Sequence, residues 1–169
     1  EKMSAAVIGA ILERTGIAPE KVEEVIFAQS YASGETPCVG RWAALEAGLP
    51  IETGGVTVNR NCASSLQAIN DAAMSIMAGC ENVQIAGGVE HMHHIPMTKD
   101  YDPAPGLFRK YSEAIMHMGL TAEYLSNKYG IGRTQQDEFA LRSHQLADEA
   151  TRSGQFTGEV IPTWGRDDD

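Results

Sequence analysis

The sequence predicts an α/β fold in which a parallel or mixed sheet carries helices on both faces. Up to residue 96, short apolar runs rich in Val and Ile alternate with amphipathic helical segments. Strands and helices that alternate in this way are joined by crossovers and form a sheet covered on both sides. The composition indicates a globular chain with a core, because 43% of its 169 residues are apolar and 21% are charged.

Three helices and three strands are predicted before residue 96. The helices are expected over residues 3–15, 41–47 and 62–79, and the strands over residues 22–28, 55–59 and 83–86. Gly16 is expected to end the first helix. Apolar residues at helical spacing mark one face on each of two helices. These faces are Met3, Val7, Ala10 and Ile11 on the first helix, and Leu66, Ile69, Ala73, Ile76 and Met77 on the third.

The alternation of strands and helices stops after Pro96. Residues 97–114 contain several Pro and Gly residues and are predicted to form a loop. Two helices are expected next, over residues 119–129 and 134–153. Thr134 is the predicted N-cap of the second helix, with Asp137 as its capping-box partner at the third helical position. Its predicted inner face consists of Phe139, Ser143, Leu146 and Ala150.

One more strand is predicted from Phe156, Val160 and Ile161, followed by a loose acidic tail. The expected organisation is therefore an α/β core, a helical insertion between two strands, and a return strand with the tail. Their predicted ranges are 1–96, 97–155 and 156–169.

Cys62 is the candidate nucleophile, because it lies at the turn between a predicted strand and a predicted helix. The start of a helix offers unpaired N–H groups and a partial positive charge, which favour thiolate over thiol. The small neighbours Ala63, Ser64 and Ser65 leave room for a substrate carbonyl. The alternative interpretation is a buried structural cysteine, since free cysteines are among the most buried residues.

Charge and cysteine content exclude several classes of function. A net charge of −10 argues against nucleic acid or an anionic membrane as a partner. No apolar stretch approaches the length of a membrane span, and no secretory signal is visible. Three widely spaced cysteines without a CxxC motif indicate a reducing compartment, which favours a cytoplasmic location.

The segment after the third strand contains three histidines, a glycine pair and a carboxylate. His91, His93 and His94 could suggest zinc, but no cysteine pair or nearby further ligand supports it, so no metal is predicted. The pair 87–88 lacks the spacing of a phosphate loop and is expected to allow close backbone approach. Glu90 is either a general base or, as we favour, a carboxylate that anchors the loop.

Five segments, which together run over essentially the whole chain, carry a family resemblance. They are Asn59-x-x-Cys62-x-Ser64-Ser65-x-x-Ala68, Ala43-Ala44-Leu45-x-Ala47-Gly48-Leu49-Pro50, Gly87-Gly88-Val89-Glu90-His91-Met92-x-x-x-Pro96-Met97, His117-Met118-Gly119-Leu120-Thr121-Ala122-Glu123, and Gln136-Asp137-x-Phe139-Ala140-x-x-Ser143-His144. They resemble the thiolases, which make or cleave a carbon–carbon bond at a coenzyme A thioester. Within this family, the residues of the third and fourth segments are most similar to those of degradative 3-ketoacyl-CoA thiolases. Among these enzymes, they are most similar to the β-subunit of bacterial fatty-acid oxidation complexes.

The resemblance implies a layered thiolase-like fold with a central mixed sheet and an inserted loop domain that covers the active site. It implies Cys62 as the catalytic nucleophile, and His117 and Met118 as residues that line the coenzyme A and acyl pocket. The implied reaction is thiolytic cleavage of a 3-ketoacyl-CoA to acetyl-CoA and a shortened acyl-CoA in β-oxidation, through an acyl-cysteine.

The same resemblance implies the partners. Coenzyme A and acyl-CoA are substrates, with no permanently bound cofactor and no metal. A homodimer or higher oligomer is expected, with a multifunctional β-oxidation subunit as a further partner. The loop where the resemblance places coenzyme A is flanked by Lys99, Arg109 and Lys110. These residues could bind its phosphates, but they are explained equally well as solvated surface charges.

Thiolases also use a His and a second Cys from a C-terminal half. This chain has no Gly-His-Pro segment and no cysteine motif after residue 80, and the family's opening strand before Glu1 is missing. We therefore expect an N-terminal domain fragment without turnover of its own. Acetyl-CoA C-acetyltransferase is the alternative function, and a fatty-acid condensing enzyme or a non-catalytic assembly module is more distant.

Overall fold

The structure, a computed structural model, describes residues 1–99 and 102–163, which form two compact units. One unit contains residues 1–99 with 161–163, and the other lies within residues 102–160. The predicted acidic tail lies outside the described residues. No helix in these described ranges is both long and apolar enough to cross a membrane.

The first unit contains three helices and three strands, each within two residues of its predicted ends. In chain order they are α1 (Lys2–Thr15), β1 (Glu24–Ala28), α2 (Val39–Glu46), β2 (Gly54–Val58), α3 (Ser64–Ala78) and β3 (Gln84–Gly88), with a short 3-10 turn at Pro19–Lys21. The strands are parallel in the order β2-β1-β3. These three strands therefore form the parallel sheet and not the mixed sheet that the resemblance implies.

Helices cover both faces of this sheet, as predicted. Successive side chains of a strand point to opposite faces. On the central strand β1, Val25 and Phe27 are buried in a cluster with residues of α1 and α2. Ile26 is buried on the other face, where it packs with Ala68 of α3. The unit is therefore a helix–sheet–helix sandwich.

The apolar faces that sequence spacing marks on α1 and α3 are not the faces that are buried. Helix α3 buries Ser64, Ala68 and Ala72, which are spaced four residues apart. Its predicted face of Leu66, Ile69, Ala73, Ile76 and Met77 is exposed. Helix α1 likewise buries Ser4 and Ile8, whereas Met3, Val7 and Ile11 are exposed. Small side chains let a helix approach a sheet closely, so the small row packs and the larger apolar residues point outward.

The second unit contains three helices. They are α4 (Pro105–Lys110), α5 (Met118–Tyr129) and α6 (Arg133–Arg152), with a 3-10 turn at Glu113–Met116. The predicted ranges of α5 and α6 differ from these by a single residue at any end. Helix α4 lies where a loop was expected, because Pro105 occupies a first-turn position that needs no N–H donor.

Three features predicted for α6 are wrong: its N-cap, the role of Asp137 and its inner face. Gly132 and not Thr134 precedes α6, and its N–H donates to the Gln135 side chain at 3.0 Å. Asp137 instead pairs with Arg133 at 2.8 Å. The predicted inner face of α6 is mostly solvent-accessible, with Phe139, Ser143 and Leu146 exposed and Ala150 half-buried.

The segment that contains Phe156 and Val160 forms a turn and not the predicted strand. The Val160 N–H donates to the Phe156 carbonyl oxygen at 3.0 Å. Local hydrogen bonding of this kind satisfies the backbone groups that a strand would offer to a neighbour.

Candidate active site

A pocket of about 240 Å³ opens at the carboxyl ends of the three parallel strands. It is lined by Ala28 and Ser30 at β1, by Asn61, Cys62, Ser64 and Ser65 after β2, and by Gly88, Val89 and Glu90 at β3. Ligands of open parallel sheets bind outside the carboxyl ends of the strands, where the strand order reverses. The order β2-β1-β3 places the pocket at such a point, because β2 and β3 lie on opposite sides of β1.

Cys62 is exposed and lines this pocket. The first residue of α3 is Ser64 with Ala63 as its N-cap, so the helix begins two residues later than predicted. Cys62 still lies at the turn between β2 and α3, two residues before the first residue of this 15-residue helix. The alternative of a buried structural cysteine is therefore wrong.

The turn that carries Cys62 is held through the backbone of Asn61. This residue has a φ of 49°, in the left-handed region that Asn tolerates better than most residues. Its carbonyl oxygen accepts hydrogen bonds from the hydroxyls of Ser64 at 2.6 Å and Ser30 at 2.9 Å. Its N–H donates to Asn59 Oδ1 at 3.0 Å.

Glu90 connects the end of β3 to the end of β1, because its carboxylate accepts a hydrogen bond from the Ser30 N–H. This contact favours the loop-anchoring interpretation over the general base. Among the described residues, no hydrogen bond involves the Cys62 sulfur.

Gly88 allows β3 to end close to α3. A Cβ at this position would lie 2.3 Å from Ser65 Oγ and 2.9 Å from Ala28 Cβ, and both residues line the pocket. The glycine pair therefore permits the close backbone approach that the sequence predicts.

The histidine cluster makes a separate contact. His94 Nε2 lies 2.9 Å from the Glu35 carboxylate and so joins the loop after β3 to the loop after β1. The hydrogen bond from His94, together with its charge, holds the pKa of Glu35 below its ordinary value. Within residues 1–99 and 102–163, no group of three or more His, Cys, Asp or Glu side chains could hold a metal ion.

The other two cysteines have different surroundings. Cys38 is half-buried, and its thiol donates to the Gly55 carbonyl oxygen at 3.3 Å. Cys80 is exposed and follows Gly79, the C-cap of α3. Cys80 is therefore not a packing residue of the core.

The residues predicted to line the coenzyme A pocket belong to the second unit. His117 is the N-cap of α5 and Met118, 69% exposed, is its first residue. Arg109 and Lys110 lie in the last turn of α4. The functional roles of all four remain predictions.

Sequence reasoning missed Ser30 as a site residue. Its position two residues after the buried apolar run of β1 was readable as a carboxyl-end position. What could not be read was the strand order, which places the end of β1 between the turn after β2 and the carboxylate after β3.

The site combines an exposed thiol, a helix start and a pocket at the carboxyl edge of a parallel sheet. This arrangement defines an α/β protein with a candidate nucleophilic cysteine, able to form a covalent bond to an electrophilic carbon. The protein-family model of the thiolase N-terminal domain matches residues 1–169 of this sequence. The chain therefore belongs to the thiolase family.

Two curated relatives are named 3-ketoacyl-CoA thiolase. The Vibrio cholerae protein is 48% identical over 169 residues, which cover 98% of this chain and 43% of the relative. The Idiomarina loihiensis protein is 44% identical over 173 residues, which cover 100% of this chain and 44% of the relative. The chain therefore spans less than half the length of these relatives.

A solved structure shows the same fold. The crystal structure of the Bacillus anthracis acetyl-CoA acetyltransferase matches with a TM-score of 0.74 and 36% sequence identity. The match covers 92% of this chain and 43% of the other. The chain thus has a thiolase-like α/β fold, with a parallel sheet and flanking helices.

Proposed function

We propose that the chain is the nucleophile-bearing part of a 3-ketoacyl-CoA thiolase. The observation that supports this most is Cys62, which is exposed in a pocket at the carboxyl edge of the sheet. The chain around it matches the thiolase N-terminal domain over residues 1–169. The names of the two curated relatives agree with this activity.

The reaction proceeds in two halves. The Cys62 thiolate attacks the 3-keto carbon of a 3-ketoacyl-CoA and forms a tetrahedral oxyanion. Collapse of this intermediate breaks the bond between C2 and C3, and the departing carbanion of acetyl-CoA takes up a proton. The acyl group remains on Cys62 as a thioester, until the thiolate of free coenzyme A attacks it and releases the shortened acyl-CoA.

The start of α3 suits the charge that develops in these steps. A developing oxyanion is stabilised by preorganised N–H donors, and the first turn of a helix supplies such groups. We propose the Cys62 backbone N–H, two residues before the first residue of α3, as one donor. Glu90 is not proposed as the base, because its carboxylate already accepts the Ser30 N–H.

The second unit is proposed to serve substrate binding. Residues 97–155 would form the loop domain over the active site of the core at 1–96, with 156–169 as the end of the domain. His117 and Met118 would line the pantetheine and acyl path, a role that suits Met because its flexible thioether adapts to varied shapes. The start of α5 carries both residues, which supports their acting together.

The remaining assignments follow the same resemblance. Coenzyme A and acyl-CoA act as substrates, and no permanently bound cofactor is proposed. Assembly as a homodimer or larger oligomer, association with a multifunctional β-oxidation subunit and a cytoplasmic location are also proposals. Three free cysteines in this chain and the bacterial sources of the relatives agree with the reducing compartment that this location provides.

Alkylation of the 169-residue chain with iodoacetamide tests the nucleophile. Cys80 is the matched reference, because it is also exposed but lies at the opposite end of α3. As the proposed nucleophile, Cys62 should be alkylated faster than Cys80, which does not line the pocket. Acetoacetyl-CoA should protect Cys62 alone.

Peptide mass spectrometry reads out the labelling of each cysteine, and Cys62→Ser serves as the control that removes the protected site. Equal labelling of the three cysteines would count against a nucleophile. Selective labelling that acetoacetyl-CoA does not slow would count against the acyl-CoA substrate and favour a non-catalytic module.

The second candidate function is that of an acetyl-CoA C-acetyltransferase. It is favoured by the likeness to the Bacillus anthracis acetyl-CoA acetyltransferase, although the 36% identity of that protein is lower than that of the 3-ketoacyl-CoA thiolases. Protection of Cys62 by a long-chain 3-ketoacyl-CoA as effectively as by acetoacetyl-CoA would favour the first function over the second.

A further inference from the structure

We propose that Ser30 is a positioning residue for the Cys62 thiol, and that Glu90 and Asn59 hold Ser30 in place for this task. The Ser30 hydroxyl fixes the backbone turn at Asn61, the residue before Cys62. The inference rests on the proposed function only in taking Cys62 as the nucleophile.

The turn before Cys62 needs support from outside itself. Asn61 adopts the left-handed conformation, with a φ of 49°. A non-glycine residue keeps such a conformation only where its surroundings determine it. Two of the donors to its carbonyl oxygen, the N–H and hydroxyl of Ser64, belong to the following helix. The Ser30 hydroxyl, at 2.9 Å, is the donor that comes from the loop after β1.

Ser30 is itself held from both sides. Its N–H donates to the Glu90 carboxylate, which follows β3. Its carbonyl oxygen accepts the Asn59 side-chain amide at 3.0 Å. Because both backbone groups of Ser30 are engaged, its hydroxyl is directed at Asn61 by the ends of two neighbouring strands.

Asn59 closes this arrangement into a ring. Its amide nitrogen donates to Ser30, its amide oxygen accepts the Asn61 N–H at 3.0 Å, and Ser30 donates back to the Asn61 carbonyl oxygen. A closed set of hydrogen bonds resists displacement of any one member. The ring thus fixes the backbone of Asn61 on both its N–H and its carbonyl side, immediately before the nucleophile.

The test compares alkylation of Cys62 and Cys80 by iodoacetamide in variants of the 169-residue chain. Ser30→Ala removes the hydroxyl and leaves both backbone hydrogen bonds of Ser30 possible. Loss of one hydrogen bond is worth about threefold to tenfold in an equilibrium, so we expect the Cys62-to-Cys80 rate ratio to fall by about that factor. Ser30→Thr, which keeps a hydroxyl, should restore the ratio.

Ser75→Ala is the matched control. Ser75 also hydrogen-bonds through its hydroxyl, to Glu81, and lies in the same unit at the far end of α3. Its variant should leave the alkylation rate of Cys62 unchanged. The Cys62 rate is compared directly for this variant, because the Cys80 N–H donates to the Ser75 carbonyl oxygen at 3.0 Å. Ser30→Val and Ser30→Thr introduce side chains of the same shape, and only Thr has a hydroxyl. Comparing their Cys62-to-Cys80 rate ratios tests the hydroxyl even if the alanine variant does not fold.

An unchanged ratio in Ser30→Ala, or equal ratios in Ser30→Thr and Ser30→Val, would overturn the proposal. A change in the Cys62 alkylation rate in Ser75→Ala as large as that in Ser30→Ala would also overturn it, because the effect would then be a general loss of stability. Failure of the proposed function is recognised separately, since the unsubstituted chain would then show no selective, acetoacetyl-CoA-protected labelling of Cys62.

Discussion

Gly88 shows at the scale of one residue how closely the pocket is packed. The added Cβ of an alanine would lie 2.9 Å from Ala28 Cβ, an atom that cannot rotate away, and 2.3 Å from Ser65 Oγ. The end of β3, the end of β1 and the start of α3 therefore meet at a place that admits no side chain. A glycine here is a requirement of the pocket and not only of the strand.

Gly88→Ala should lower the free energy of unfolding by about 1–3 kcal/mol, as other insertions into packed sites do. Gly9→Ala is the matched control, because Gly9 lies within α1 and a Cβ there would meet nothing within 4 Å. That change should stabilise the protein by about 0.4–1 kcal/mol. Urea denaturation measures both, and equal effects of the two substitutions would contradict the close packing.

Helix α3 is the element that connects the core to the site. Its start forms part of the pocket, and its buried row of Ser64, Ala68 and Ala72 lies against the sheet. Because this row is small, the helix approaches the strands closely. The position of Cys62 thus depends on residues further along the same helix.

Ala68→Leu should destabilise the protein by about 1–3 kcal/mol, because Ala68 is fully buried and the row has no room for a larger side chain. Ile69→Ala, at a residue that is 52% exposed, should change stability by no more than about 0.5 kcal/mol. Thermal unfolding of both variants decides which face packs. A larger loss of stability in Ile69→Ala than in Ala68→Leu would indicate that the face marked by apolar spacing is the one that packs.

The sequence predicted the existence and order of the core elements and the position of Cys62, because helix ends, apolar runs and the strand-to-helix junction are local signals. It did not predict the buried face of α3, since apolar spacing identifies a stripe but not the side on which the sheet lies. The sequence also did not predict α4. Pro105 was expected to lie in a loop but occupies the first turn of this helix. Ser30 could not be found, since its partners Glu90 and Asn61 are distant in sequence.

At the scale of the whole molecule, stability depends on pH through neighbouring carboxyl groups with opposite shifts. Hydrogen bonds from the Asn82 and Val83 backbone N–H groups lower the pKa of Glu23. Desolvation by burial, with the nearby charge of Glu81, raises the pKa of Glu24. Ionised Glu23 therefore stabilises the fold above its unfolded-state pKa, and this contribution is lost as the pH falls through its folded-state pKa. Ionised Glu24 opposes folding, and its protonation relieves this as the pH falls through the raised pKa.

Glu23→Gln should lower the melting temperature at about pH 7, and Glu24→Gln should raise it, with both differences vanishing near pH 3 where the carboxyl groups are protonated. Each variant is the control for the other, because the two residues are adjacent and the substitutions are identical. Melting curves across this range by circular dichroism provide the measurement. Shifts of the same sign at neutral pH would contradict the assignment.

The central place of β1 in the sheet also affects how the chain is made. Glu24 pairs with Gly54 on one side and with Gln84 on the other, so both partner strands follow β1 in the chain. At a synthesis rate of about 5–20 residues per second, β1 waits several seconds for its second partner. During that time an apolar strand has an unpaired edge, and such non-local pairing is slow to form. The nascent chain is therefore most open to aggregation and chaperone binding between the synthesis of β1 and that of β3.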